Sequence, residues 1–111
     1  MRIVKWLSRY WDRHGPARRL TVFEGESLPS RRLPWRDLIL VREDNEDWSV
    51  GFRCPCGCGE AIELAVMDGA APRWDVAVDG KGRPTLRPSV WRQRGCRSHF
   101  WVHKGRIHWC D

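Results

Sequence analysis

No stretch of this sequence is apolar and uncharged for long enough to cross a membrane. The opening MRIVKWLSRYWDRHG is broken by charges, so neither a span nor a secretory signal is expected. There is no internal repeat and no low-complexity tract, which argues against solenoids and flexible linkers. His-Glu-x-x-His is missing, and with it the common signature of zinc proteases. Cys-x-x-Cys at a helix start is missing too, and with it the usual thiol redox couple. Cysteine itself is scarce. The five present are an odd number, which argues against a closed disulfide framework. In the cytoplasm, the default compartment, thiols stay reduced, and clustered ones more often bind metal.

What is present fits one domain of 111 residues, 41% apolar and with eight tryptophans. A chain this short is often helped by a metal or a partner. The net charge of +6 is unevenly spread. Residues 1–19 carry six Lys/Arg against one Asp, residues 37–80 three Arg against ten acids, and residues 81–111 eight Lys/Arg against one Asp. Basic ends flank an acidic middle. A basic end could meet nucleic acid or an acidic protein, and it also keeps a domain soluble.

Ile3, Trp6, Leu7, Tyr10 and Trp11 fall at helical spacing, with Arg2, Lys5, Arg9 and Arg13 elsewhere on the cylinder. Gly15-Pro16 stops that helix. Residues 1–15 are therefore expected to form a basic amphipathic helix that covers a sheet face or extends from the domain. Residues 16–111 are expected to form a single zinc-binding, β-rich domain. In it Leu20–Phe23, Asp37–Arg42, Trp48–Arg53, Ala61–Val66, Trp74–Val78 and Thr85–Val90 read as strands, with Asp68-Gly69 and Asp79-Gly80 as turns. The stretch GESLPSRRLP (25–34) reads as a loop. The fold class is mostly β, α+β in detail: a small antiparallel domain resembling a zinc ribbon, with one N-terminal helix.

SHFWVHKGRIHWC (98–110) reads as a hairpin turning at Lys104-Gly105. In that register residues whose numbers sum to 209 face each other. Ser98, Phe100, Val102, Ile107 and Trp109 share a largely apolar face. His99, Trp101, His103, Arg106, His108 and Cys110 share the other.

Two clusters carry metal chemistry. Cys54, Cys56 and Cys58 crowd a Pro-Gly-rich turn, RCPCGCG, and Cys96-x-x-His99 enters the final hairpin. Tetrahedral zinc takes four N or S ligands, commonly from two such short-spaced groups. Gly57 and Gly59 let the backbone wrap closely around an ion. Cys54, Cys56, Cys58, Cys96 and His99 compete for four positions, and Cys110 is a sixth candidate by its place opposite His99. Cys56, Cys58, Cys96 and His99 are favoured, with Cys54 replacing one of the first two or lying close behind. An iron–sulfur cluster on Cys54, Cys58, Cys96 and Cys110 stays open.

The ordered run of CPCGCGE (54–60), PRW (72–74), TLRPSVW (85–91) and CRSHFWVHKGRIHW (96–109) resembles a family of small bacterial proteins classed as a domain of unknown function. The likeness begins near LTVFEGESLP (20–29) and runs to the C-terminus. The N-terminal helix and Cys110 lie outside it. The resemblance implies zinc binding and a genomic setting beside ubiquitin-like proteins and the enzymes that activate and conjugate them. It extends to a role in phage defence.

Three functions follow. The favoured one is a zinc-binding accessory protein that binds a ubiquitin-like protein, its conjugates, or its activating or conjugating enzymes. Trp91, Arg92, Arg94, Arg97 and Trp101 would be its contact residues, because Trp and Arg dominate interface energetics. The second is a peptidase that processes or removes the ubiquitin-like tag. For it Ser89 and Ser98 are candidate nucleophiles, Ser89 served by His99, His103 or His108. Ser98 and His99 are strand neighbours pointing to opposite faces, so His99 does not readily activate Ser98. The third is a nucleic-acid-binding zinc module, using basic residues interleaved with tryptophan.

Overall fold

The computed structural model describes residues 10–25, 27–28 and 33–110. Ile3, Trp6 and Leu7 of the expected helical stripe lie outside the described residues. Among the described residues, eight strands form two four-stranded sheets. The first contains β1 (Leu20–Glu24), β2 (Leu38–Glu43), β3 (Glu46–Arg53) and β4 (Ala61–Ala65), in chain order. The second contains β5 (Asp75–Val78), β6 (Pro84–Trp91), β7 (His99–His103) and β8 (Arg106–Trp109), also in order. All pairings are antiparallel except β1 with β2, which are parallel. The mostly β architecture with a short helix is as read from the sequence.

Period-two alternation decides which side chains go inside. Leu38, Leu40, Val50, Phe52, Ile62 and Leu64 from the first sheet share one core with Leu86, Val90, Phe100, Val102 and Ile107 from the second. Phe52 meets Phe100 edge to face, ring centroids 6.2 Å apart, so the two sheets touch at their largest side chains. Each such side chain, fully buried, contributes about 1.5–3 kcal/mol. β2 is apolar on its other face as well. There Ile39 and Val41 pack with Leu33 and Leu28 from the long loop. Gly51 on β3 leaves the space that Leu28 fills, and a Cβ there would collide with it.

Turn chemistry fixes the registers. Asp44 and Asn45, both at positive φ, join β2 to β3 in two residues. Lys104 and Gly105, also at positive φ, do the same for β7 and β8. The last pair runs Phe100↔Trp109, Trp101↔His108, Val102↔Ile107 and His103↔Arg106, so the facing residues do sum to 209.

Residues 10–14 are helical and lie beside β8. Their end is held by arginines, the charge sign that a helix C-terminus favours. Arg106 Nη1 donates to the carbonyls of Asp12 (3.1 Å) and Gly15 (2.8 Å). Arg36 donates to those of Trp11 and Pro16. Arg18, only 1% exposed, pairs with the buried Asp12 at 2.8 Å. Burial holds the Arg18 guanidinium below its usual pKa, and Asp12 works against that. The strand that follows is strapped across both sheets. Arg18 N–H donates to Gly105 O, Leu20 N–H to Gly82 O, and Leu38 N–H to Arg19 O.

Candidate active site and metal centre

β6 begins as an ordinary strand, with Leu86 opposite Val102. At its other end Val90 faces Phe100 and Trp91 faces His99. Between these, Arg87, Pro88 and Ser89 stand against Trp101 alone. Two extra residues make a bulge, the device by which a strand re-aims a side chain. Pro88 fits there because a bulge does not need its missing N–H. Ser89 is the residue re-aimed. Its Oγ lies 2.9 Å from His99 Nε2, and both residues are partly buried. The Ser89 main chain is fixed in turn by Trp74, whose indole N–H donates to the Ser89 carbonyl at 3.3 Å.

The His99 ring is oriented by stacking. Trp91 lies over it, centroids 4.9 Å apart and planes 12° from parallel. The ion pairs among the described residues do not include His99. A serine, a histidine and a stacked tryptophan therefore form the constellation. Ser98, the other candidate nucleophile, is turned away, and its hydroxyl donates to Cys96 Sγ at 3.2 Å. His103 and His108 lie side by side further along the hairpin, centroids 6.1 Å apart.

The sulfur atoms of Cys54, Cys56, Cys58 and Cys96 form a second constellation, all within 4.8 Å of one another. The turn carrying the first three is closed by Cys54 N–H to Glu60 O and Gly57 N–H to Cys54 O. Gly57 and Gly59 sit at φ 90° and 85°, the left-handed region for which glycine is suited. Four thiolates at metal–sulfur bonds of about 2.3 Å would stand about 3.8 Å apart at the corners of a tetrahedron. Cys54 Sγ is 3.4 Å from Cys56 Sγ and 3.6 Å from Cys96 Sγ, and none of the cysteines is in a disulfide. The cluster could hold a metal ion.

Charge around the sulfurs acts in both directions on the thiolates that a metal would take. Burial pushes the Cys54 and Cys58 thiols up. Desolvation would raise Cys96 as well, but the hydroxyl and amide of Ser98 and the neighbouring thiols hold it down at about 6. Arg92 Nη1 approaches Cys96 Sγ (3.6 Å) and Cys58 Sγ (3.7 Å), while Nη2 pairs with Glu60 Oε2 at 2.6 Å. Desolvation opposes the Arg92 charge, yet Glu60 and the sulfurs carry its pKa above the usual value.

The site residues named from sequence are thus divided. Cys54, Cys56, Cys58 and Cys96 come together. His99, counted among the ligands, stands instead at Ser89. Cys110 is outside the sulfur cluster and donates its N–H to the His99 carbonyl at 2.9 Å. Of the expected contact residues, Trp91 and Trp101 are exposed, as are Arg94 and Arg97, while Arg92 is turned inward to the sulfurs.

The two constellations are joined by one short segment. Residues 92–98 lead from the strand of Ser89 to that of His99 and carry Cys96 midway. A serine beside a histidine is an arrangement that nucleophilic catalysis can use, and the same small β scaffold carries four clustered cysteines that could hold a metal. The family model described as bacterial ubiquitination-like system serine protease (BubE) matches residues 25–110, more than three quarters of the chain, and the chain belongs to that family. No curated protein and no solved structure matches it.

Proposed function

We propose that the protein is a serine peptidase with Ser89 as nucleophile and His99 as general base. Its substrate would be the ubiquitin-like protein of its modification system, as a precursor or a conjugate. The observation that carries the reading is the 2.9 Å contact between Ser89 Oγ and His99 Nε2. The family description supports it and shifts the preference from an accessory binder to an enzyme.

With neutral His99 carrying its proton on Nδ1, Nε2 accepts the Ser89 hydroxyl proton while Oγ attacks the scissile carbonyl. The tetrahedral adduct collapses, the C–N bond breaks, and Nε2 returns the proton to the departing amine. The acyl group is left as an ester on Ser89. Water, giving a proton to Nε2, hydrolyses that ester, and Ser89 recovers its proton.

Zinc is the metal we assign to the four cysteines, because all-sulfur tetrahedral sites suit it. Four cysteines fill a tetrahedral sphere, so the metal, when bound, supplies folding energy rather than an activated water. Here it would fix the 92–98 segment between nucleophile and base.

Incubation with the ubiquitin-like protein extended by a C-terminal fusion tests the reading. Wild type and Ser98→Ala should cut it, while Ser89→Ala and His99→Gln should not. A fluorophosphonate probe should label Ser89 alone. Unchanged cleavage by Ser89→Ala would overturn the assignment. Retention of uncut substrate by every form would restore the accessory reading.

A further inference from the structure

β5 stops short of the nucleophile. It ends at Asp75, opposite Arg87, while β6 runs on to Trp91. The chain before Asp75 turns to the other sheet, where Trp74 N–H donates to Ala65 O at 2.9 Å. Among the described residues, Val90 and Trp91 therefore have a strand neighbour only in β7.

The direction of the free main-chain groups follows from two hydrogen bonds. Arg92 N–H donates to Ser98 O at 2.8 Å, so Arg92 turns its main chain toward β7. Cys110 N–H donates to His99 O at 2.9 Å, so His99 turns its main chain toward β8. Trp91 and His99 are hence a non-hydrogen-bonded pair, the kind whose side chains approach closest, in keeping with their stacking. Main-chain groups alternate sides along a strand. Trp91 thus aims its N–H and C=O away from β7, toward the side that β5 has vacated. The Ser89 carbonyl already accepts from Trp74. Both main-chain groups of Trp91 face a side on which, among the described residues, there is no strand.

Proteins usually cover or blunt such an edge, because it is a template for another chain. Here the short edge adjoins the nucleophile. We propose that the substrate binds as an added strand along Ser89–Trp91, its main chain pairing with that edge and its scissile bond brought to Ser89. The proposal rests on the peptidase reading. The occupant is an extended, unfolded chain segment, since a folded surface cannot present a free main chain to pair. Every second side chain of that segment would lie on the outer face with Trp91 and the Ser89–His99 pair, and the others would point back toward Trp74.

The test uses the full chain and a labelled peptide spanning the C-terminal tail of the ubiquitin-like protein. A series of these peptides is N-methylated at successive residues. Cleavage is followed with the wild type, and binding by anisotropy with Ser89→Ala. Strand addition predicts alternation, with about tenfold losses at every second residue and little change between them. It also predicts that the Trp91 amide gains protection from hydrogen exchange on binding. Cleavage without alternation or protection would overturn strand addition and spare the peptidase. Alternating binding without cleavage would overturn the peptidase and spare the docking edge. Neither cleavage nor binding would overturn both.

Discussion

The indole of Trp91 covers the imidazole of His99 at 4.9 Å while remaining 60% exposed itself. A large apolar ring left this open gains little from burial. On the peptidase proposal, its contact with His99 is the role that accounts for its place on the surface. In a serine–histidine pair the base must keep one nitrogen aimed at the hydroxyl, and a stacked ring can hold that plane. Trp91→Ala should lower kcat by about tenfold to a hundredfold with a smaller change in KM. Trp91→Phe, which keeps a ring, should recover most of the loss. Melting temperatures of all three forms should agree closely. Equal kcat values would show that stacking does not orient the base.

The sulfur cluster makes a prediction about metal content. Elemental analysis should find one tightly held metal ion per chain, lost from Cys54→Ser, Cys56→Ser, Cys58→Ser and Cys96→Ser. Cys110→Ser should keep it. Arg92 offsets thiolate charge at Cys58 and Cys96 without being a ligand. Arg92→Met should weaken metal retention by about tenfold to a hundredfold in competition with a chromophoric chelator, and Arg92→Lys by less. Stripping the metal should lower the melting temperature. It should also abolish cleavage, because Cys96 lies on the segment that spaces Ser89 from His99. Full metal content in Cys54→Ser would move the fourth ligand elsewhere.

Much of this was legible before the structure, and the reasons are local. Lys104-Gly105 and the alternation of Phe100, Val102 and Ile107 fix a hairpin within a dozen residues, so its register could be read directly. Three cysteines on one Gly-rich turn also announce a site by spacing alone. The partner of Ser89 was legible only as one of three histidines, His99, His103 or His108. Ser89 sits within a bulge and is joined to His99 across a seven-residue crossing, and period-two reasoning holds only for uninterrupted strands. Pro88 was the available signal, because proline inside a strand marks an edge or a bulge. His99 was open to two readings from its position, as a zinc ligand and as a base for Ser89. Cys-x-x-His is the spacing of a zinc half-site, and a histidine placed beside a serine looks the same in sequence as one placed at a metal.

Acid stability should carry the mark of Asp79. Its carboxylate accepts from the backbone N–H of Arg83 and Lys81 and pairs with Arg83 Nε at 2.6 Å, closing the turn between β5 and β6. These donors, the Arg83 amide foremost, hold its pKa below the ordinary value. A group lowered on folding stabilises above its unfolded pKa, about 3.9 for aspartate. That contribution is lost as pH falls through the lower folded value. The melting-temperature difference between wild type and Asp79→Ala should be constant at neutral pH and shrink under acid conditions. A difference unchanged down to the lowest pH that the fold survives would mean that the charge of Asp79 does not matter.

The buried Asp12 should be among the most sensitive single positions for stability. Its side chain is 4% exposed, and Oδ1 meets Arg18 Nε and Nη2 at 2.8 Å and Arg36 Nη2 at 3.4 Å. Neutralising the acid leaves Arg18, almost wholly buried, without its counter-charge. Breaking one side of such a pair costs about 3–5 kcal/mol, far more than the net worth of the pair. Asp12→Asn keeps the shape and removes the charge, so urea unfolding should show a loss of that size with an unchanged m-value. Replacing both partners, Asp12→Leu with Arg18→Met, should recover much of it, because no isolated charge then remains. If Asp12→Asn costs less than about 1 kcal/mol, the range of exposed ion pairs, water reaches the pair and the arginines fasten the helix through its carbonyls alone.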